Sequence, residues 1–203
     1  MKQALIIFIR NPIEGQVKTR LAKTMGKEKA LLIYQILLQH TCDITRQLIC
    51  DKFLYYADFI NENDDWENET YNKRLQHGAD LGQRMLNAFI ELFEKGYERV
   101  LIIGSDCLEL DSTMISQAFN VLDEKDIVIG PSSDGGYYLL GMNAPPRALL
   151  FENKNWSTDN VLKDTTKDLA DAGLSFELLT ELSDIDEEKD LPASLLQGIH
   201  SKT

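Results

Sequence analysis

The uninterrupted run Ala4-Leu5-Ile6-Ile7-Phe8-Ile9 limits this chain more than any other feature. A segment of strand length that is apolar at every position is covered on both faces, and such strands form the interior of parallel sheets wrapped by helices. Val100-Leu101-Ile102-Ile103 repeats the pattern before Gly104. Further strands are expected over residues 52–58, 126–131, 137–142 and 175–180. Between them the apolar residues fall at helical intervals. Across residues 27–49, Ala30, Tyr34, Leu37, Thr41, Ile44 and Leu48 predict one long amphipathic helix. Gln76 to Gly82 turns into a second helix with Leu81, Met85, Ala88 and Leu92 on one face and Gly96 as its stop. Asp111 caps a helix carrying Ile115, Ala118 and Leu122. Ser157 caps another, with Val161, Thr165, Leu169 and Ala172 inward and Gly173 at its end, and a terminal helix is expected over 188–199. Residues 59–70, rich in Asn, Asp and Glu, read as an exposed connection. Alternating strands and helices with short links give an α/β fold: a mainly parallel sheet with helices on both faces.

With 203 residues, 43% of them hydrophobic, the chain suits one well-buried domain over 1–203 and is short for two. Its formal charge is −12, yet residues 1–29 hold seven Lys and Arg against two acids. Field strength depends on nearby charge, so a cationic strand end in an acidic chain suits a small anion. The negative total argues against nucleic acid or an anionic membrane as a partner, since both want a broad basic face rather than one basic loop. No apolar run approaches roughly 18 residues and no cleavage site follows the first strand, so a cytoplasmic location is expected. Cys42, Cys50 and Cys107 show no CxxC spacing and read as reduced thiols, with neither a disulfide framework nor a zinc site.

In sheets of this kind the ligand crevice lies outside the carboxyl ends of the strands. Arg10 to Arg20, Asp106 and Asp134 to Gly136 all fall there. Lys18 offers a point charge and Arg20 a bidentate fork to phosphate oxygens, the plain alternative being a solvated basic loop. Neither a Walker A sequence nor a G-x-G-x-x-G fingerprint is present, which lowers P-loop NTPases and dinucleotide dehydrogenases. Asp106 follows a buried strand and needs hydrogen bonds or a cation. Magnesium and manganese favour one or two carboxylates plus waters and phosphate oxygens, so a second carboxylate is sought among Asp134, Asp184 and Asp186. His77 reads as exposed, and His40 and His200 are poor catalysts by position. Trp156 either stacks on a ligand or anchors the core. Cys107 has no His partner and is an improbable nucleophile.

Several motifs occur in order: Phe8-Ile9-Arg10-Asn11-Pro12, Gly15-Gln16-Val17-Lys18-Thr19-Arg20-Leu21, Gly78-Ala79-Asp80-Leu81-Gly82-Gln83-Arg84-Met85, Gly104-Ser105-Asp106-Cys107, Gly130-Pro131-Ser132-Ser133-Asp134-Gly135-Gly136-Tyr137-Tyr138-Leu139, Trp156-Ser157-Thr158 and Ser183-Asp184-Ile185-Asp186. Together they resemble the DUF2064 family of glycosyltransferase A-like proteins over nearly the whole chain. That family is similar to nucleotide-diphospho-sugar transferases and to small nucleotidyltransferases that make molybdenum-cofactor dinucleotides or guanylylate phospholactate. The resemblance implies a single-domain, Rossmann-like GT-A fold. It implies that Arg10, Lys18 and Arg20, in a loop with Asn11 and Gly15, hold nucleotide phosphates, and that Asp106 and Asp186 bind Mg²⁺ or Mn²⁺. Gln76, Gly78, Asp80 and Leu81 would read the base, and Asp134, Gly135, Gly136 and Tyr137, with Trp156, would line an acceptor pocket. Leu108 replaces the usual Pro, and Glu187-Glu188-Lys189-Asp190-Leu191 replaces Thr-Pro-Glu-Asp-Leu, which loosens the registration of Asp186 against Asp184.

The expected activity is metal-dependent nucleotidyl transfer from a nucleoside triphosphate to a small phosphorylated or hydroxyl acceptor, releasing pyrophosphate, with Lys18, Arg20 and Asp106 as the catalytic groups. Glycosyl transfer from a nucleotide-sugar is the alternative, and a nucleotide-binding module without turnover a third. The apolar hairpin at Tyr137 and Tyr138, read as exposed, leaves room for a homodimer.

Overall fold

The first strand, β1 (Gln3–Ile9), sends its side chains alternately to two hydrophobic cores, as the strand period of two requires. In the computed structural model, which describes residues 1–152, 154–156, 158–193 and 195–196, Leu5, Ile7 and Ile9 enter one core and Ala4 and Ile6 the other. Beside β1 lie β2 (Asp51–Tyr56), β3 (Tyr71–Leu75), β4 (Arg99–Ile103), β5 (Ile127–Pro131), β6 (Tyr137–Met142) and β7 (Phe176–Leu178). They form one 7-stranded sheet in the order β3-β2-β1-β4-β6-β5-β7. Only β6 runs antiparallel to its neighbours, so the sheet is mainly parallel, as expected.

The helices cover both faces. Residues of α2 (Lys27–Arg46) and α4 (Ser112–Val121) share the core of Leu5 and Ile7. Those of α3 (Leu81–Glu94) and α5 (Val161–Asp171) share the core of Ala4 and Ile6. A short helix, α1 (Thr19–Met25), precedes α2, with Gly26 at φ 89 between them. Asp111 caps α4 as predicted, accepting from the Met114 N–H at 2.8 Å. Asp111→Ala is therefore expected to cost about 1 kcal/mol in urea unfolding, with an unchanged m value.

Several expectations are corrected. The strand β3 was missed: Tyr71-Asn72-Lys73-Arg74-Leu75 is too polar to read as a strand, yet it pairs with β2 at the sheet edge. Charged residues on an edge strand discourage pairing with other chains. Residues 59–70 are not simply exposed, because Trp66 is 3% exposed and stacks edge-on against Tyr71. Lys73, also buried, donates to the Asn61 carbonyl and to Asp64 Oδ1, each at 2.8 Å, and so pins that connection to β3. The long helix ends at Arg46 rather than at residue 49. Leu81 opens α3 as its first residue and points outward, 42% exposed, while Gly82, Met85, Ala88, Phe89 and Leu92 turn inward. Tyr138 is buried and the Tyr137 hydroxyl is buried as well, so these residues offer no apolar tip for a homodimer. The helix of residues 161–171 has Asn160 at its N-cap without a side-chain bond, and of the terminal helix expected over 188–199 Glu188–Asp190 form one short 3-10 turn that ends at an extended Leu191; Ser157 and residues 194 and 197–199 lie outside the described residues. Among the described residues no helix is long and apolar enough to cross a membrane.

Candidate functional site

The carboxyl ends of β1, β4 and β5 open into one cleft of about 710 Å³. The loop leaving β1 lines it with Arg10 and Lys18, the first turn of α1 with Arg20, the loop leaving β4 with Asp106, and the turn after β5 with Asp134 and Gly136. A late segment brings in Asp184 and Asp186. That segment is tied down by backbone bonds: the Ile185 N–H donates to the Asp106 carbonyl at 2.8 Å, and Leu182 donates to the Pro131 carbonyl at 3.1 Å. The Asp190 carboxylate accepts from the Asp186 and Glu187 N–H groups and closes the next turn, so the replaced tail of the motif still fixes Asp186.

Lys18 occupies the centre. Its ammonium lies 2.8 Å from Asp106 Oδ1 and 3.2 Å from Asp186 Oδ1, with the side chain 4% exposed. Burial disfavours the ammonium, but Asp106 and then Asp186 outweigh it, and the Lys18 pKa is raised. The residue has φ 45 and ψ 48, a left-handed conformation that no other non-glycine among the described residues adopts. Arg20 reaches the outer edge of the same cluster, 3.7 Å from Asp186 Oδ2. Asp184 sits deeper, accepts from Ser132 Oγ at 3.0 Å, and is pushed up to about 7 by burial and by the Asp106 charge. Under the β1 loop, the Tyr34 hydroxyl accepts from the Arg10 N–H at 2.9 Å and donates to the Arg10 carbonyl at 3.1 Å. Burial and the Asp106 charge push that phenol up to about 12, so it holds the loop as a neutral group.

The opposite wall is apolar, built from Phe8, Leu81, Met85, Tyr137 and Trp156. Trp156 meets Tyr137 edge-on at 6.5 Å. Arg84 also lines the cleft, with Nε bonded to the Gly78 carbonyl and Nη1 to Gln76 Oε1. No ion pair engages it among the described residues.

Other sequence-selected residues support the site from behind. Asn11 is 2% exposed, its side chain bonded to Phe59 and Asp58, so it ties the β1 loop to the β2 loop rather than facing the cleft. Gly15, Gly78 and Gly135 are likewise not among the lining residues. Gly135, at φ +88, lies against the Asp159 backbone and shapes the turn. Gln76 lines the cleft, but its amide donates to the Ile9 and Tyr55 carbonyls. Asp80 caps α3 through the Gln83 N–H at 2.8 Å. His77 is exposed, and His40 bonds the Leu110 carbonyl away from the cleft. Arg84, Tyr34 and Ser132 were not singled out from sequence for the site. Arg84 alone carried a signal, as a cation one helical turn from the Gly78-Ala79-Asp80 loop.

No curated protein matches the chain in sequence. Among solved structures, a proposed nucleotide-diphospho-sugar transferase from Desulfovibrio desulfuricans G20 superposes with a TM-score of 0.87 at 26% identity, over 99% of this chain and 96% of that one. The 4-diphosphocytidyl-2C-methyl-D-erythritol synthase of Anaerococcus prevotii DSM 20548 gives 0.63 at 10% identity, over 99% and 96%. An inositol-1-phosphate CTP transferase from T. maritima gives 0.51 at 15% identity, over 98% and 95%. The fold is thus that of nucleotide-diphospho-sugar transferases, as expected. The family model for DUF2064, described as an uncharacterized protein conserved in bacteria, matches residues 39–158, a span that holds Asp106 and the 76–82 loop but neither Lys18 nor Asp186. With more than half of its length inside that match, the chain belongs to the DUF2064 family.

Proposed function

We propose that this chain is a nucleotidyltransferase, moving a nucleoside monophosphate unit from a triphosphate to a small acceptor. The observation that carries the reading is the convergence of Lys18, Asp106 and Asp186 on one point, with Arg10 and Arg20 beside it at the strand ends. An acceptor oxygen attacks the α-phosphorus, the bond to the bridging oxygen breaks, and pyrophosphate leaves with that electron pair. Arg10, Lys18 and Arg20 hold the departing phosphates, which suits a reaction that needs positioning and charge stabilisation more than a protein nucleophile. Cys107 supplies none: burial and the Asp184 charge push its thiol up to about 11. A phosphate acceptor would attack as its anion and need no base.

The donor set fits Mg²⁺ or Mn²⁺. Asp106 and Asp186 are hard carboxylates, each partly exposed, and both already converge on one positive charge. Among the described residues no group of three or more acidic, His or Cys side chains is arranged to hold an ion, so phosphate oxygens and water would complete the shell. When bound, the ion neutralises phosphate charge during transfer.

A second reading, glycosyl transfer from a nucleotide-sugar, is favoured by the description of the Desulfovibrio relative. The number of cations in the β1 loop tilts toward the triphosphate. The test is incubation with each triphosphate, Mg²⁺ and a small-molecule acceptor extract, with pyrophosphatase-coupled detection. Parallel reactions with nucleotide-sugars are read by nucleoside diphosphate release. Pyrophosphate release supports the first reading; diphosphate release replaces it with the second; nucleotide binding with neither product favours a module without turnover. Arg20→Ala is expected to weaken triphosphate affinity about 10-fold in calorimetry, in the range of one charge-assisted hydrogen bond. Its side chain is 62% exposed and its ion pair long, so the melting temperature should stay within error of wild type.

A further inference from the structure

The Lys18 ammonium spends its hydrogen bonds on the two carboxylates that the reading above gives to a divalent ion. It sits 2.8 Å from one and 3.2 Å from the other, almost wholly buried, while Asp106 and Asp186 remain 44% and 41% exposed. The carboxylates are therefore partly open in the cleft they line, and the buried ammonium neutralises them. A dication entering from the cleft meets acids whose charge is already shared, and it must approach a fixed ammonium at short range. Removing the ammonium alone would strand a buried charge, so it leaves only for another anion. The left-handed backbone at Lys18, the one such non-glycine conformation among the described residues, is held while the side chain is engaged in this way.

We propose that Lys18 is an exchangeable counterion: in the free protein it occupies Asp106 and Asp186, and the phosphates of an incoming nucleotide draw it off and release both carboxylates to the metal. This inference rests on the metal reading of that site. Divalent ion alone then binds weakly, and ion and nucleotide each strengthen the other's binding by the same factor, as linkage requires. Lys18 thereby acts twice, as a stand-in cation before binding and as a phosphate ligand afterwards.

The test is Mn²⁺ binding to the full chain, followed by electron paramagnetic resonance, for wild type, Lys18→Met, Lys18→Arg and the double variant Lys18→Met/Asp106→Asn. Without nucleotide, Lys18→Met is expected to bind Mn²⁺ about 10-fold tighter than wild type, since a competing charge in contact is removed. Lys18→Arg, which keeps the charge, should not gain, and the double variant should lose the gain. A purely structural lysine would give no such gain, with Lys18→Met binding no tighter than wild type. That result, alongside a normal ternary complex of wild type with Mn²⁺ and triphosphate, overturns the exchange and leaves the metal site standing. Failure of wild type to bind Mn²⁺ even with every triphosphate overturns the metal reading itself, and the exchange with it. A measurement on the unaltered protein guards against misfolded variants: with ¹⁵N at lysine Nζ, the Lys18 ammonium resonance should stay in place on adding Mg²⁺ and shift on adding Mg²⁺ with nucleotide. An unmoved resonance in the ternary complex overturns the exchange.

Discussion

Asp106→Asn is expected to remove the metal-dependent part of nucleotide affinity and to lower turnover on the order of 10²–10³-fold, the scale seen when one preorganised electrostatic group at a reacting phosphate or carbonyl is lost. The substitution keeps the shape of the side chain and removes its charge. Its backbone place is set independently, by the buried strand β4 before it and by the bond from the Ile185 N–H to its carbonyl at 2.8 Å. Lys18 keeps Asp186 as a partner, so the ammonium is not stranded. The loss should therefore appear in titrations with Mg²⁺ and vanish in EDTA, where the variant, with one carboxylate fewer holding Lys18, binds nucleotide at least as tightly as wild type. Thermal unfolding without ligand should shift downward modestly, because the buried ammonium keeps only its longer contact, to Asp186. Wild-type Mg²⁺-dependent affinity in Asp106→Asn would sink the metal role of this carboxylate.

Asp106 was legible because a carboxylate directly after Val100-Leu101-Ile102-Ile103 stands at a strand end where burial demands a partner. Topology then placed it beside Arg10 and Lys18 without any contact being known. The same logic failed at β3. Residues 71–75 have no apolar run because an edge strand packs one side only, and Lys73 is buried through hydrogen bonds rather than by hydrophobicity. Leu81 misled for a related reason. Its spacing to Met85 and Ala88 fits a helix face, but the first residue of a capped helix at a cleft rim is exposed whatever its hydropathy. Asn11 and Gln76 stand in the expected loops, yet the Asn11 side chain bonds the loop after β2 and the Gln76 amide bonds the ends of β1 and β2. Sequence locates such a loop but not which polar groups are already satisfied. Tyr34 carries the same lesson. It counted as one apolar position on a helix, and only the fold reveals that its hydroxyl holds both backbone groups of Arg10.

The cleft's apolar wall depends on a residue without a side chain. Gly82, in the first turn of α3, faces the Trp156 indole and the Phe151 carbonyl so closely that an added Cβ would lie 2.3 Å from Trp156 Nε1 and 2.4 Å from Phe151 O. At an open helical site a Gly→Ala change gains about 1 kcal/mol from reduced backbone freedom in the unfolded chain. Here the sign reverses. Overpacking costs roughly 1–3 kcal/mol, toward the upper end here because one of the two obstacles is backbone that cannot rotate away, so after the gain a net loss of roughly 1–2 kcal/mol is expected for Gly82→Ala in urea unfolding. The easier of the two to move is the indole, which contacts Tyr137 edge-on at the cleft wall. Its displacement should change Trp156 fluorescence, a signal separable from Trp66, which is 3% exposed and buried against Tyr71. On the proposed reading triphosphate affinity rests on Arg10, Lys18 and Arg20, so it should survive while any acceptor or sugar bound against Trp156 is held less tightly. Gly82→Ala at wild-type stability with unchanged fluorescence would mean that the wall has room the packing denies. Equal weakening of triphosphate and acceptor would mean that both bind against it.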